Sequence, residues 1–194
     1  MTGLCVVGLG LIGGSLLRAA ERAGWKVRGT ATSAADVAAA RAAGFDVTTA
    51  VDDALRAAAE SDALVVLAVP LPAVADVLAV VAREAPRCRL TDVAGVKEPV
   101  ATAVAGRVPL ARYVGSHPMA GNSGSHWAAG SADLFAGASW VVSTDDGTDI
   151  ELWAQVSRLV LDCGAHVVPA SAADHDAAVA RVSHLPHVLA AVLA

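Results

Sequence analysis

Short apolar runs alternate with longer alanine-rich amphipathic stretches along most of the chain. The longest run with strand character, residues 63–69, contains no polar residue, which is typical of a strand covered on both faces. Several of the amphipathic stretches end at a glycine, such as Gly24 or Gly44, as helices often do. Strands that alternate with helices of this length predict an α/β fold with a doubly wound, mostly parallel sheet.

The predicted elements divide the chain into two parts. We assign residues 1–170 to one domain of alternating strands and helices and residues 171–194 to a separate terminal helix. The last helix is still apolar at Val192-Leu193-Ala194, so we expect the protein to continue beyond this sequence. Strands are predicted at residues 4–7, 25–30, 45–48, 63–69, 89–91, 113–115, 139–143 and 166–168, and helices at 11–23, 34–43, 52–59, 72–85, 98–105, 150–161 and 172–194.

Composition argues against several classes of protein. The 194 residues are 55% hydrophobic and carry a net charge of −5 without a basic stripe, so we predict a packed core and no nucleic-acid partner. The apolar region 64–82 is interrupted by Pro70, Pro72 and Asp76, so we predict no membrane span. The start lacks a basic leader, and the three scattered cysteines suggest reduced thiols in a cytoplasmic protein.

A glycine-rich turn, Gly8-x-Gly10-x-x-Gly13, follows the first predicted strand and opens a helix. This context is typical of a dinucleotide site, in which the glycines permit a tight turn and close approach of the pyrophosphate to the helix N-terminus. The alternative is a tight turn with nothing bound. The predicted cofactor residues in and around this turn are Gly8, Gly10, Leu11, Ile12, Gly13, Val69 and Pro70.

The acid expected about 20 residues downstream, which would bind the ribose hydroxyls of NAD, is missing. The second strand instead ends in hydroxyl side chains, and we add Thr30, Thr32 and Ser33 to the cofactor residues because they could bind a 2′-phosphate, with Arg41 nearby. Alternatively, these hydroxyls only cap the next helix. The cofactor is therefore NAD or NADP.

A second motif, Gly115-Ser116-His117-Pro118-Met119-Ala120-Gly121, places a histidine on a predicted loop after a strand. Ligand crevices of open parallel sheets lie at such carboxyl ends. Histidine suits proton transfer near neutral pH, so His117 is the candidate catalytic base of a dehydrogenase, with Ser116, Asn122 and Ser123 as substrate contacts. The alternative is a histidine that only orders the loop.

The terminal helix carries Asp174-His175-Asp176 and Ser183-His184-Leu185-Pro186-His187. His184 and His187 are three residues apart and share a helix face. They could form part of a zinc site, but no third ligand with suitable spacing is evident, so we predict no metal.

Together these motifs resemble the prephenate/arogenate dehydrogenase family of tyrosine biosynthesis, and the actinobacterial type is the most similar. The resemblance runs essentially end to end and includes Asp92-Val93-Ala94-Gly95-Val96-Lys97 and Leu134-Phe135-x-Gly137. It implies NAD(P)-dependent oxidative decarboxylation of a cyclohexadienyl alcohol, prephenate or arogenate, by a homodimer. It implies further that residues 1–170 form a Rossmann-like dinucleotide-binding domain and that residues 171–194 are the first helix of a helical substrate and dimerisation domain. It also implies that His117 accepts a hydrogen bond from the ring hydroxyl, and that Ser183, His184 and His187 line the substrate pocket, which Met119 and Ala120 help to shape.

The chain departs from the family pattern at three places. Gly95 stands where the family usually has a serine near the histidine, and Ser123 stands where some members have a glutamate. The family also continues into a helical domain that supplies an arginine for the substrate carboxylate. Two alternatives therefore remain: another hydroxy-acid dehydrogenase on the same fold, or a non-catalytic nucleotide-binding module.

Overall fold

The computed structural model describes residues 3–145, 147–184 and 186, which form two sheets flanked by helices. Its strands are β1 (Gly3–Val7), β2 (Lys26–Thr30), β3 (Val47–Thr48), β4 (Leu64–Leu67), β5 (Leu90–Asp92), β6 (Tyr113–Val114), β7 (Ser116–Pro118), β8 (Ser139–Ser143) and β9 (His166–Ala170). Its helices are α1 (Leu11–Arg22), α2 (Ala34–Ala42), α3 (Val51–Glu60), α4 (Leu71–Glu84), α5 (Glu98–Ala105), α6 (Ile150–Asp162) and α7 (Ala172–Val179).

The main sheet contains six parallel strands in the order β3-β2-β1-β4-β5-β6. The predicted α/β fold with a doubly wound parallel sheet is therefore confirmed. The strand order reverses direction between β1 and β4, and in open α/β sheets the ligand crevice lies at this switch point, outside the carboxyl ends of the strands.

The sheet separates two apolar cores because successive side chains of a strand point to opposite faces. In β1, Leu4 and Val6 pack with α1, α2 and α6, whereas Cys5 and Val7 pack with α3, α4 and α5. Residues of β4 alternate in the same way. This double coverage explains why both strands read as continuous apolar runs in the sequence.

A second sheet of order β7-β8-β9 corrects the prediction for the histidine motif. His117 lies in strand β7, antiparallel to β8 and opposite Val141, and not in a loop. The chain leaves the main sheet at Gly115, where an added Cβ would lie 2.9 Å from the Ser143 Oγ and 3.0 Å from the Tyr113 hydroxyl. A glycine at this crossing lets β6 and β7 follow one another directly although they belong to different sheets.

The structure of the described C-terminal residues also differs from the single long helix that the sequence predicts. Regular α-helix ends at Val179 and continues as a π-helical turn, Ala180–His184. The proposed domain boundary at residue 170 coincides with the end of β9, just before α7 begins. Within the described residues, no helix is both long and apolar enough to cross a bilayer.

Candidate active site

The glycine turn between β1 and α1 requires glycine at two positions for steric reasons. Gly8 has a φ of +105°, and a Cβ on it would lie 2.3 Å from the carbonyl oxygen of Ala68. A Cβ on Gly13 would lie 1.9 Å from the carbonyl oxygen of Gly8. A Cβ on Gly10, by contrast, would meet no atom within 4 Å, so this position faces open space where a ligand can approach the backbone.

The turn opens into a cleft at the carboxyl ends of β1, β2 and β4. The structure brings all of the predicted cofactor residues to this one cleft, which also includes Thr49, Val51, Ala73 and Val77 on its apolar side. Gly10 is the N-cap of α1, so the first N–H groups of the helix face the cleft with the positive end of its dipole. The glycine turn, the N-terminus of α1 and the apolar lining of the cleft together fit a dinucleotide.

The end of β2 bears on the choice between cofactors. Ser33 caps α2, because its hydroxyl accepts a hydrogen bond of 3.1 Å from the Asp36 N–H, as the capping alternative predicted. Thr30 is buried, and its carbonyl accepts the Gly8 N–H at 2.7 Å. Arg41 donates its Nε–H to the Val47 carbonyl. Ala31, the first residue after β2, lines the cleft where an acid would bind the ribose hydroxyls of NAD.

Two further cleft residues, Asp36 and His126, were not among the predicted ones. Asp36 Oδ1 accepts the Trp127 N–H at 3.1 Å, and Oδ2 lies 3.2 Å from His126 Nδ1. Burial raises the pKa of Asp36, but hydrogen bonds from Trp127, His126 and Ser33 outweigh burial and leave this pKa below its ordinary value. Asp36 is therefore a carboxylate that joins α2 to the segment between β7 and β8.

His117 lies beside a second, open depression at the end of β7. The structure brings together here several residues predicted to contact substrate, namely His117, Asn122 and Ser123, with Val182 from the π-helical turn opposite them. Met119 and Ala120 also line this depression. Asn122 also orders the loop, since its Oδ1 accepts the Gly124 N–H at 2.7 Å.

A hydrogen-bonded chain of two histidines and an aspartate extends from His117 into the protein. His117 Nδ1 lies 2.9 Å from Nε2 of the buried His175, and His175 Nδ1 lies 2.7 Å from Asp176 Oδ1. A carboxylate can only accept, so His175 Nδ1 donates to Asp176. With His175 neutral, its Nε2 must accept from His117 Nδ1–H, and the lone pair of His117 is then on Nε2.

Asp176 is itself held by the N-terminus of α5. Its two oxygens accept the N–H groups of Lys97 at 2.7 Å and Glu98 at 3.0 Å. Burial raises the pKa of Asp176, but these backbone hydrogen bonds and His175 lower it by more, so the pKa lies below its ordinary value. The carboxylate therefore stays ionised and keeps the imidazole of His175 in one orientation.

A buried ion pair supports β7 from below. Lys97 Nζ contacts Asp92 Oδ1 and donates to the Ser116 carbonyl at 2.6 Å, while Tyr113 donates its hydroxyl to Asp92 Oδ2 at 2.6 Å. Burial lowers the pKa of Lys97, and Asp92 opposes this effect. The pair fixes the residue that precedes His117 along the strand.

Ser116 is placed differently from the prediction that it contacts substrate. It is 1% exposed, and its hydroxyl donates to the Asp92 carbonyl while it accepts from Trp140 Nε1 and Thr91 Oγ1. These three bonds use its hydrogen-bonding capacity to join the two sheets. Ser116 is therefore a structural residue in the described protein, because the packing of β5 against β7 and β8 excludes it from the depression.

The remaining predicted substrate residues lie near the C-terminal end of the described region. The backbone of Ser183 and His184 belongs to the π-helical turn that also contains Val182. His187 lies outside the described residues. On the opposite side of the histidine, a Cβ on Gly95 would lie 3.8 Å from both Cε1 and Nε2 of His117, so this departure from the family pattern directly adjoins the ring.

The motif Asp174-His175-Asp176 is visible in the sequence, but the sequence alone predicts no role for its residues. The signal that could have indicated a role is a histidine between two acids at the start of a helix, because a neighbouring carboxylate can orient an imidazole through a hydrogen bond. Lys97 carried a weaker signal, because it follows the apolar segment Val93-Ala94-Gly95-Val96 and a buried lysine requires a counter-charge.

Comparison with known proteins identifies the family. Residues 16–169 match the family described as "Prephenate dehydrogenase, nucleotide-binding domain". The chain belongs to this family. The resemblance inferred from the motifs is therefore confirmed, and the match covers the strand that carries His117 and begins within α1, after the glycine turn.

Solved structures and a curated relative show how this nucleotide-binding domain compares with whole proteins. A candidate prephenate dehydrogenase from Corynebacterium glutamicum ATCC 13032 is 46% identical with a TM-score of 0.95, over 99% of this chain and 63% of that one. Prephenate dehydrogenase from A. aeolicus, in complex with hydroxyphenyl propionate and NAD+, is 26% identical with a TM-score of 0.89, over 100% of this chain and 68% of that one. Prephenate dehydrogenase of Bacillus subtilis (strain 168) is 37% identical over 106 residues, which are 54% of this chain and 28% of that protein.

Proposed function

We propose that the chain is the nucleotide-binding part of an NAD(P)-dependent dehydrogenase that oxidatively decarboxylates prephenate or arogenate in tyrosine biosynthesis. The observation that carries the proposal is the hydrogen-bonded chain His117–His175–Asp176 beside the depression. An imidazole oriented by an ionised carboxylate suits acceptance of a hydrogen bond from a hydroxyl, and a nucleotide-binding module alone has no need of it.

Bound NAD(P)+ would accept the hydride that leaves the hydroxyl-bearing ring carbon. The glycine turn and the N-terminus of α1 would hold the pyrophosphate, and the hydroxyl residues that end β2 would hold the adenosine ribose. His117 Nε2 would accept a hydrogen bond from the ring hydroxyl and stabilise the positive charge that develops on this oxygen. Loss of the ring carboxylate as carbon dioxide would return its bonding pair to the ring. As the base, His117 would take the hydroxyl proton while the hydride leaves and would return it to the resulting phenolate oxygen, so the product is the phenol.

The remaining protein would complete the substrate site. Ser183, His184 and His187 stay proposed substrate contacts, with Asn122 and Ser123 on the other wall of the depression. The division at residue 170, the homodimer and the cytoplasmic location stay predictions. The chain spans 63% of the Corynebacterium glutamicum structure, so we propose these properties for the protein as a whole rather than for this segment.

Cofactor titration and a chimera test the proposal. Calorimetry should show that the chain binds NAD+ or NADP+. A chimera in which this chain replaces its matching part of the Corynebacterium glutamicum relative should reduce the cofactor when prephenate or arogenate is added, as followed by absorbance of the reduced nicotinamide. Absence of cofactor binding, or a chimera that binds cofactor but turns over neither substrate, would contradict the proposal.

A further inference from the structure

The cofactor cleft contains one pair of ionisable side chains at the end where β2 meets α2. Among the described residues that line the cleft, Asp36 and His126 are the only ionisable ones. Arginines of α1, β2 and α2 have other partners: Arg18 bonds the carbonyls of Gly14 and Trp127, Arg28 pairs with Asp46, and Arg41 bonds the Val47 carbonyl. Any charged group that a ligand brings to this end of the cleft therefore meets His126 and Asp36.

Asp36 and His126 are held together through one of the two imidazole nitrogens of His126. Asp36 uses Oδ1 for the Trp127 N–H and Oδ2 for His126 Nδ1, so both carboxylate oxygens already accept hydrogen bonds. The His126 side chain is 72% exposed, and Nδ1 is the ring nitrogen that bonds Asp36. Its Nε2 makes no further hydrogen bond within the part of the chain that the structure describes.

The segment that carries His126 is fixed firmly enough to hold the ring at the cleft. The neighbouring Trp127 is 3% exposed, packs edge-on against Phe45 and lies under the guanidinium of Arg18 at 3.4 Å. The N–H of Ser131 donates to the Ser15 hydroxyl at 2.9 Å, which ties the segment to α1. His126 itself has a φ of +66°, a conformation that is uncommon for a residue other than glycine and persists only where the surroundings impose it.

The location of this pair indicates what it contacts. In dinucleotide-binding folds the residues that follow the second strand read the 2′ position of the adenosine ribose, where an acid favours the free hydroxyl and a cation favours a 2′-phosphate. Here Ala31 replaces the acid, and Thr32 and Ser33 also line the cleft. Both oxygens of the Asp36 carboxylate contact Trp127 and His126. The side chain that this end of the cleft offers to the 2′ position is therefore the imidazole of His126.

We propose that His126, positioned by Asp36, determines cofactor specificity by donating an Nε2–H hydrogen bond to the 2′-phosphate of NADP+. The imidazolium form donates from both nitrogens, Nδ1–H to Asp36 and Nε2–H to the phosphate. The inference rests on the proposed cofactor use and adds to it the residue that accepts the second phosphate. It accounts for the absence of an acid at position 31 without excluding NAD+, which makes the remaining contacts equally well.

Calorimetric titration of this chain with NADP+ and with NAD+ tests the inference. We expect the two dissociation constants to lie within about tenfold of each other in the unmodified chain. In His126→Asn the NADP+ affinity should fall about tenfold, the range of one charge-assisted hydrogen bond, while the NAD+ affinity changes less than about twofold. Asparagine suits this position because it tolerates positive φ and can still bond Asp36.

Two further variants separate charge from structure. His126→Lys restores a cation and should keep the ratio of NADP+ to NAD+ affinity at or above that of the unmodified chain. Asp133→Asn, in the same segment but paired with Arg22, should leave both affinities unchanged. An unchanged ratio in His126→Asn, or an equal loss of both cofactors, would overturn the assignment of His126 alone, whereas no binding of either cofactor to the unmodified chain would overturn the proposed function as well.

Discussion

His117 Nδ1 and His175 Nε2 lie 2.9 Å apart, and their rings meet nearly edge to face at an interplanar angle of 79°. His175 is buried and bonded to Asp176, so the partly buried His117 is oriented from inside the protein. The direction of these hydrogen bonds determines which nitrogen of His117 is basic, and this can be measured without any substrate.

We expect nitrogen-15 NMR of the imidazole rings to show His117 and His175 both protonated at Nδ1 near neutral pH. Asp176→Asn should change the tautomer distribution of both rings, because an amide that donates to His175 Nδ1 favours the opposite tautomer. Asp174→Asn, an exposed residue two positions earlier on the same helix, is the matched control and should leave both spectra unchanged. A His117 ring protonated at Nε2 in the unmodified chain would contradict the proposed base.

His117→Asn should lower turnover about 10²- to 10⁴-fold, the range that general acid–base catalysis contributes. Cofactor affinity should stay within about twofold, because His117 lies in the second sheet and does not line the cofactor cleft. Initial rates in the chimera and calorimetry on the chain measure the two effects separately. Turnover that survives the substitution would exclude His117 as the base.

Gly10→Ala and Gly13→Ala should separate cofactor binding from stability, because the first should weaken cofactor binding and the second should lower stability. A methyl group on Gly10 meets no protein atom, so thermal unfolding should be unchanged while NAD+ affinity falls at least about tenfold. A methyl group on Gly13 would collide with the Gly8 carbonyl, so this variant should unfold at a clearly lower temperature. Unimpaired cofactor binding by Gly10→Ala would show that the pyrophosphate does not approach this position.

Lys97→Met should reduce the free energy of unfolding by about 3–5 kcal/mol, because it removes one partner of a buried ion pair and leaves Asp92 uncompensated. The Ser116 carbonyl loses its 2.6 Å hydrogen bond in the same variant. Denaturant unfolding measures the loss. The double variant Lys97→Met with Asp92→Asn should recover part of it, and no recovery would show that the cost comes from packing rather than from the isolated charge.

Acid should destabilise the protein in part through Asp176. Its pKa is lower in the folded chain than the ordinary value of 3.8, so its contribution to stability is fully present above that value and is lost as the pH falls through the lowered one. Asp176→Asn should therefore be less stable than the unmodified chain at neutral pH, with a difference that narrows below about pH 4. A difference that does not vary with pH would show that the carboxylate does not titrate as proposed.

The sequence by itself determined the main sheet and the glycine turn, and it singled out His117 as the candidate base. Apolar alternation and turn-forming glycines are local signals, and β1, β4 and the Gly8–Gly13 turn lie where these signals predict. The helix at Glu98–Ala105 and the strand at Ser139–Ser143 have the predicted bounds for the same reason.

Only the tertiary structure decided how the residues around His117 divide their roles. The two histidines that touch are separated by 58 positions, and the register of β7 on β8 buries Ser116 while it exposes its neighbour to the depression. Asp36 likewise meets His126 across 90 positions. Such contacts depend on how β7, α5 and α7 pack together, and a periodicity of two or 3.6 residues carries no information about which distant side chains that packing brings within hydrogen-bonding distance.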